Sequence, residues 1–484
     1  RNITHQQKKL NEEELIHFRD RFDIPISDED VANAPFYKPD NDSEEIKYLK
    51  ERRKELGGFI PQRSTENPEF SMPSDEVFEE FLKGSGKREV ATTMAAVQLL
   101  SKLLKDENTG KYIVPIVPDE SRTFGMDSLF RQSGIYAHKG QLYEPIDSDS
   151  LLYYKEAKDG AILEEGITEA GSMSSFIAAG TAYSTHKIPC LPVFIFYSMF
   201  GFQRVGDFIW AAADARAKGF MLGGTSGRTT LAGEGLQHQD GHSHLLAMSV
   251  PAVEAYDPAF AYELAVIMKE GMRRMYLEGE DIFYYITIMN EKYKMPAMPR
   301  KKNLEESILK GMYKYQSSRK NKHNLNLLGS GTILNEALEA ADILKKDFDI
   351  HPDVWSVTSY KKLYDNAVET QRRNRLNDEN KKNYIEEVVG KDENIFIAAS
   401  DYVKALPLSV SKWFPGDFAA LGTDGFGKSD HRDELRDHFE VDAKHIAWAA
   451  LVQLKDQKKI DSKVLKEARK KLGIEEDKPS PTQL

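Results

Sequence analysis

Between residues 196 and 244 the sequence gathers Tyr197, Phe200, Arg204, Ser226, Arg228, Glu234 and His238, side chains able to stack on a ring, bind an anion or move a proton. Gly223, Gly224, Gly227, Gly233 and Gly235 interrupt them, a composition suited to loops shaped around a ligand. His238, His242 and His244 with Asp240 suggest a metal site, but HxxxHxH is not a zinc spacing and no cysteine pair supports it. Ser198 and Ser226 lack the G-x-S-x-G turn of α/β hydrolases. Upstream, VPDESRTFGM ends an apolar run on Asp119 and Glu120. The carboxyl end of a parallel strand would present both to a ligand, a solvated acidic loop being the alternative. Glu169 opens a helix of small residues, EAGSMSSFIAAG, which would let another helix approach closely. An acid there can serve its own helix, or, desolvated between a partner chain and a cofactor, act as a proton donor. LGSGTIL at 328–334 lacks the third glycine of a dinucleotide site and reads as a tight turn.

These side chains need elements to hold them. YIVPIVPD at 112–119, CLPVFIFY at 190–197, FMLGG at 220–224, VEAY at 253–256 and DIFYYITI at 281–288 read as strands, with helices between them over 89–104, 168–183, 206–218 and 258–272. That alternation predicts an α/β domain over 69–298 with a parallel, doubly wound sheet. After the basic joint PRKKN at 299–303 the pattern restarts with NLNLLGSGT, a helix over 334–345, VWSVTSY, NIFIAAS and FAALGTDGFG. A second, smaller α/β domain over 299–484 is expected. Residues 1–68 are polar, with proline-bearing connectors and a helical patch at 44–56, and read as an arm or linker.

At 484 residues the chain can hold roughly two to four domains. Its 66 basic and 77 acidic residues give a net charge of −11, with the basic ones scattered, so nucleic acid is not an expected partner. The longest apolar stretch, 188–202, contains Pro189 and Pro192 and falls short of the roughly 20 residues that span a bilayer, so no membrane is expected either. The single Cys190 leaves no disulfide to form within the chain, which fits a reducing cytoplasm. The opening RNITHQQKKL has no initiator methionine, apolar signal core or arginine-rich leader, and reads as the start of a fragment.

Six longer stretches carry a resemblance: VPIVPDESRTFGMDSLFRQSGIY, EEGITEAGSMSSFIAAGTAYST, FYSMFGFQRVGDFIWAA, GGTSGRTTLAGEGLQHQDGHSH, YYITIMNEKYKMPAMP and LGTDGFGKSDHRDELRDHFEVD. Together they resemble the homodimeric bacterial pyruvate dehydrogenases, the thiamine-diphosphate-dependent decarboxylating components of pyruvate dehydrogenase complexes. The resemblance covers nearly the whole chain and corresponds to the C-terminal half of those enzymes. It implies a transketolase-like pyrimidine-binding domain over 69–298 and a transketolase-like C-terminal domain over 299–484. It also implies oxidative decarboxylation of pyruvate through a thiamine diphosphate enamine, with acetyl transfer to the lipoyl group of an acetyltransferase core. By resemblance, Glu169 is the glutamate that hydrogen-bonds the pyrimidine ring and activates the cofactor. Ile167 matches the bulky apolar residue beneath the cofactor, and Phe200 the aromatic stacked on the pyrimidine, with Tyr197 beside it. Asp119, Glu120 and His238 match polar residues facing substrate and intermediates. His5 matches a histidine of a mobile loop implicated in acetyl transfer, an inert terminal histidine being its alternative.

One mark of the family is missing. Thiamine enzymes hold the diphosphate through magnesium on a G-D-G motif followed by an asparagine. This chain has no G-D-G, and its Asp-Gly pairs at 159, 240 and 424 are not followed by an asparagine at the family's distance. No magnesium ligand is therefore expected in this chain. The expectation is a pyrimidine-side half site, inactive in isolation, with magnesium and diphosphate held by the N-terminal half of the same enzyme in a second subunit. Two other readings keep the same residues: another thiamine-dependent 2-oxo acid or transketolase-type enzyme, and a non-catalytic assembly module. The joint presence of Glu169, Phe200 and His238 counts against the module.

Overall fold

Runs of apolar residues bounded by glycine, proline and charge become buried strands, and the periodic segments between them become their cover. The computed structural model describes residues 10–58, 66–118, 121–144, 146, 154–390 and 394–483, and the chain divides into two units, Arg1–Arg63 and Ser64–Leu484. In the first unit, side chains of Asn11, Ser27 and Ser43 cap the helices Glu12–Arg21, Asp28–Val31 and Glu44–Glu55. Val31 is its one buried side chain among the described residues, so local capping rather than a core sets these helices.

The second unit contains two larger sheets. The first has six parallel strands: Ile113–Val117 (β1), Leu163–Glu164 (β2), Leu191–Tyr197 (β3), Phe220–Gly224 (β4), Val253–Tyr256 (β5) and Phe283–Thr287 (β6). Their order is β2-β1-β3-β4-β6-β5. All of β3 is buried, as a parallel strand covered on both faces requires. Helix Thr92–Lys105 (α1) precedes β1, helices Glu169–Gly180 (α2), Phe202–Asp214 (α3) and Ala261–Met272 (α4) lie between strands in sequence, and α2 packs against both β3 and α3. After β1 the chain turns outward to β2, then returns to build β3 and β4 on the other side. The carboxyl ends of β1 and β3, at Val117 and Tyr197, therefore flank the switch point where open α/β sheets bind ligands.

Helix α3 starts at Phe202, ahead of the expected start at 206. Its first turn is set off by a kink at Val205 (φ −123°, ψ 23°), and the regular helical period begins only beyond it. The two-residue β2 is too short to show any period, and it was not anticipated.

The second sheet comprises Met312–Gln316 (β7), Leu325–Gly329 (β8), Asp353–Val357 (β9), Asn394–Ala399 (β10) and Gly416–Leu421 (β11), ordered β7-β9-β8-β10-β11. It is parallel except for the edge strand β7, which runs antiparallel to β9. Along β10, Ile395, Ile397 and Ala399 enter the core shared with the first sheet, while Phe396 and Ala398 join a second cluster with Trp355 and Tyr402. That two-residue alternation marks a strand buried on both faces. The LGSGTIL segment joins β8 to the helix Ile333–Phe348 (α5) through Gly331 at φ +50°, so the tight-turn reading describes its geometry.

A polar seam links the two sheets. Asp401 accepts from Thr229 N and Oγ1 at 2.8 and 2.7 Å and from Thr230 N at 3.0 Å. Asp257 accepts from Thr287 Oγ1 at 2.6 Å and from the Tyr402 hydroxyl at 3.3 Å, and His244 Nε2 reaches the same Thr287 hydroxyl at 2.8 Å. Burial pushes the Asp257 carboxyl up to about 7, against the pull of its hydrogen bonds from Thr287 and Tyr402. Burial drives the His244 imidazole the other way, below its ordinary range.

The segment after β11 laces down the loop that carries His238. Gly233 N donates to Asp430 O at 3.2 Å, Lys428 N to Gln239 Oε1 at 2.6 Å, and Arg432 Nε to Thr230 O at 2.6 Å. Gln239 Nε2 donates to Leu231 O at 2.8 Å, and Ser429 Oγ donates to Glu234 O. A Cβ on Gly427 would lie 2.6 Å from Leu236 O, so glycine is what permits this approach.

Two outcomes are expected. A carboxyl raised from about 4 to about 7 favours folding fully below the unfolded value and loses that contribution as pH rises through the folded one, a swing on the order of 4 kcal/mol. Thermal melts of Asp257→Asn should therefore show a flatter pH dependence between these values and a higher Tm than wild type at alkaline pH; an unchanged pH dependence would contradict this. Gln239→Leu keeps the side chain's bulk but strands Lys428 N and Leu231 O, and the buried Leu231 O left unpaired costs roughly 1–3 kcal/mol. Amide exchange should quicken over 231–240 while β3 and β4 stay protected, whereas a uniform rise would indicate global loosening instead.

Candidate active site

At the end of β3 the chain passes through a single 3₁₀ turn, Ser198–Phe200, then Gly201, into α3. A Cβ on Gly201 would collide with the Phe196 ring, so the turn needs glycine. Its tightness sets Tyr197 and Phe200 edge to face, with ring centroids 5.9 Å apart and exposures of only 6% and 8%. His238 approaches from the turn Leu236–His238, its ring 4.8 Å from that of Tyr197 and 5.3 Å from that of Phe200. Phe124 closes on Tyr197 at 5.4 Å and presses on Gly224, where a Cβ would lie 2.6 Å from its ring. The four rings form an aromatic wall at the carboxyl edge of the first sheet.

Glu169 reaches this wall from α2. Thr168 caps the helix, its Oγ1 accepting from Gly171 N at 3.2 Å, which leaves Glu169 at the first helical position with 6% exposure. The partial positive charge of the helix N-terminus favours a carboxylate there. Arg204 Nη1 lies 3.3 Å from each carboxylate oxygen, and the guanidinium carbon stands 3.8 Å above the Phe200 ring. One cation thus ties the buried acid to the wall. On the facing loop, Glu234 Oε2 is 4.0 Å from His238 Nδ1, an acid beside an imidazole. Sequence reasoning set Arg204 and Glu234 among the ligand-loop residues but gave neither a role. The available signal was a pair of four-residue spacings, Phe200 to Arg204 and Glu234 to His238, lying across turns where helical periodicity is not expected.

The other expected residues are placed differently. Ile167, two positions ahead of Glu169, is 74% exposed. His5, Asp119 and Glu120 lie outside the described residues. The three histidines of the HxxxHxH run diverge: His242 pairs with Gln203 at 2.9 Å, His244 with Thr287, and His238 with the aromatic wall. Ser226 meets the Tyr402 hydroxyl at 2.8 Å, and Arg228 donates to the carbonyls of Thr423 and Gly425. Both therefore face the second sheet rather than the aromatic wall. Among the described residues, the group with metal-ligand geometry is Asp437, Asp442 and His445. It sits around two C-terminal helices, and Lys444 Nζ lies 2.5 and 3.9 Å from its two acids.

Chemically, the arrangement offers a buried carboxylate next to an aromatic face, and an acid–imidazole pair beyond it. It can hold a flat heterocycle by stacking and an in-plane hydrogen bond, and it can move a proton at the far side.

Residues 69–296 match the family model of the pyruvate dehydrogenase E1 component middle domain, and residues 311–442 that of the transketolase-like TK C-terminal domain. The pyruvate dehydrogenase E1 component of Pseudomonas aeruginosa is 54% identical over 485 residues, covering 99% of this chain and 55% of that protein. That of Escherichia coli K12 is 46% identical over 486 residues, covering 99% and 54%. The chain spans about half the length of the curated relatives it matches. Transketolase from Campylobacter jejuni aligns with a TM-score of 0.58 at 16% identity, covering 91% of this chain and 59% of that one. A split gene transketolase, an inactive β4 tetramer, aligns with a TM-score of 0.50 at 15% identity, covering 76% and 98%. These likenesses establish an α/β, transketolase-like fold. With nearly its whole length aligned to relatives of one name, the chain belongs to the pyruvate dehydrogenase E1 component family, carrying its middle domain and a transketolase-like C-terminal domain.

Proposed function

We propose that this chain supplies the pyrimidine-side half of a thiamine diphosphate site that decarboxylates pyruvate oxidatively and passes the acetyl group to the lipoyl group of an acetyltransferase. The observation that carries this reading is the buried Glu169 carboxylate beside the face of Phe200, at the switch-point edge of a parallel sheet. An aminopyrimidine is flat and presents a ring nitrogen in its plane, so an aromatic face and a buried carboxyl fit it. When bound, thiamine diphosphate supplies the nucleophilic carbon and the electron sink for loss of carbon dioxide.

The protein's share is orientation and proton movement. Glu169 holds and polarises the pyrimidine, Phe200 and Tyr197 fix its plane, and Ile167 supports the cofactor from beneath. His238, with Glu234 beside it, faces the substrate together with Asp119 and Glu120, and His5 serves acetyl transfer. Among the described residues, no cluster of ligand type lies beside the aromatic wall to hold magnesium. The one ligand-like group among the described residues lies around the C-terminal helices and is already met by Lys444. We place magnesium and diphosphate on the N-terminal half of the same protein in a second subunit, with 69–298 as the pyrimidine-binding domain and 299–484 as the C-terminal domain. Ala170, Ser174 and Ala178 on α2, with Phe208 and Trp210 on the neighbouring α3, stay exposed and support subunit docking on that side.

Given thiamine diphosphate, magnesium and pyruvate, the purified chain should release no carbon dioxide, and a separately produced N-terminal half should restore release. Turnover by the chain alone would overturn the half-site reading, and preference for sugar phosphates over pyruvate in the assembled enzyme would overturn the substrate. In that enzyme, Glu169→Ala should slow exchange of the cofactor's thiazolium proton by roughly 100- to 10,000-fold. Unchanged exchange would remove the role given to Glu169.

A further inference from the structure

Arg204 makes, with one guanidinium, both contacts that the proposed site offers to an aminopyrimidine. Its Nη1 bridges the two Glu169 oxygens at 3.3 Å each, and its guanidinium carbon lies 3.8 Å above the Phe200 ring. A guanidinium is flat, donates hydrogen bonds in its own plane and stacks on aromatic faces, so it satisfies the same acceptor and the same π-surface as the ring. Tyr197 and His238 both meet Phe200 in edge-type arrangements, at 70° and 61°, so neither lies stacked parallel on it.

We infer that Arg204 is a placeholder for the cofactor's pyrimidine, holding Glu169 and Phe200 in position and swinging out when the ring arrives, so that cofactor binding is a displacement. This rests on the pyrimidine-side reading of Glu169 and Phe200. A carboxylate that is 6% exposed is costly to keep without a counter-charge, and Arg204 supplies one. The local structure also lets it leave. The Arg204 side chain is 50% exposed, so its charge has water to enter. Its backbone belongs to the single turn that precedes the kink at Val205, where helices bend. Gly206 follows, with no atom within 4 Å of where a Cβ would stand, so the outer side of the kink is not packed shut.

The test uses the full-length enzyme as wild type and as Arg204→Met, which keeps an unbranched stem and removes the planar cation. Thiamine diphosphate with magnesium is mixed with each protein, binding is followed by stopped-flow protein fluorescence, and Tm is measured for the cofactor-free and cofactor-saturated forms. A placeholder predicts roughly five- to tenfold faster or tighter binding in Arg204→Met, the combined worth of a half-exposed ion pair and a cation–π contact. It also predicts a lower Tm for the cofactor-free form alone. Arg204→Lys, a cation without the plane, should fall between the two. Weaker binding, or an equal loss of Tm in both forms, would overturn the inference, because Arg204 would then stay beside the bound cofactor. Glu169→Gln and Phe200→Ala in the same assay separate the two possible failures. If both bind like wild type, the pyrimidine-side reading falls and takes the placeholder with it; if both bind weakly while Arg204→Met matches wild type, the placeholder alone falls.

Discussion

Burial of β3 on both faces is the constraint from which the site follows. Leu191 to Tyr197 lie inside the first sheet with no face open to water, and each large apolar side chain buried there is worth roughly 1.5–3 kcal/mol over exposure. Such a strand cannot slip in register without driving polar neighbours into the core. It also has no place for chemistry along its length. Polar groups are pushed to its carboxyl end, where Tyr197 pairs with Gly224 of β4 and the two loops leave side by side. Gly224 then lets Phe124 press in from the far side of the switch point. The aromatic wall is thus a product of sheet burial and strand order.

The second sheet is a brace for that edge. The loop from Arg228 to Gln239 contains two glycines, Gly233 and Gly235, and is too rich in backbone freedom to hold His238 by itself. Its order comes from the segment after β11, which donates to or accepts from it at Thr230, Gly233, Glu234 and Gln239. Arg228 anchors the start of the loop in carbonyls of the same segment, and Asp401 is satisfied by the backbone and hydroxyls of Thr229 and Thr230. Arg436, buried between Glu291 and Glu336, locks a C-terminal helix to both sheets' connections. A histidine that belongs by sequence to the first sheet therefore depends for its position on the second.

Much of this was legible residue by residue, and the exceptions share a cause. FMLGG and VEAY read to their ends because Gly219 and the Asp257-Pro258 pair punctuate apolar runs that have no other use. MYKYQ did not read as a strand, since β7 is an antiparallel edge whose Lys314 is held by Asp353 from the adjacent strand, a partner 39 residues away. The same distance problem hid the sorting of 196–244. Composition placed Ser226, Arg228, His242 and His244 with Tyr197, Phe200 and His238, but their partners, Tyr402, Thr423, Gln203 and Thr287, are remote in sequence. Arg204 was named without a role because its meaning comes from Glu169, 35 residues upstream on another helix.

A buried carboxylate must also be kept stable while no ligand meets it, and the electrostatics show how this one is. The helix N-terminus favours the Glu169 charge by roughly 0.3–1 kcal/mol, which is less than the several kcal/mol that enclosing an unpaired carboxylate costs. Solvent cannot make up the difference at 6% exposure. The remainder has to come from a cation that is near enough to neutralise the acid yet open enough to be given up. Arg204 meets both conditions, ion-paired within 3.3 Å while half of its side chain faces water. A lysine at this position would offer a point charge without the flat face that covers Phe200, leaving the aromatic wall wet on its ligand side. The pairing of one planar cation with one acid and one ring is therefore what keeps this edge of the sheet ordered while half of the cation still faces water.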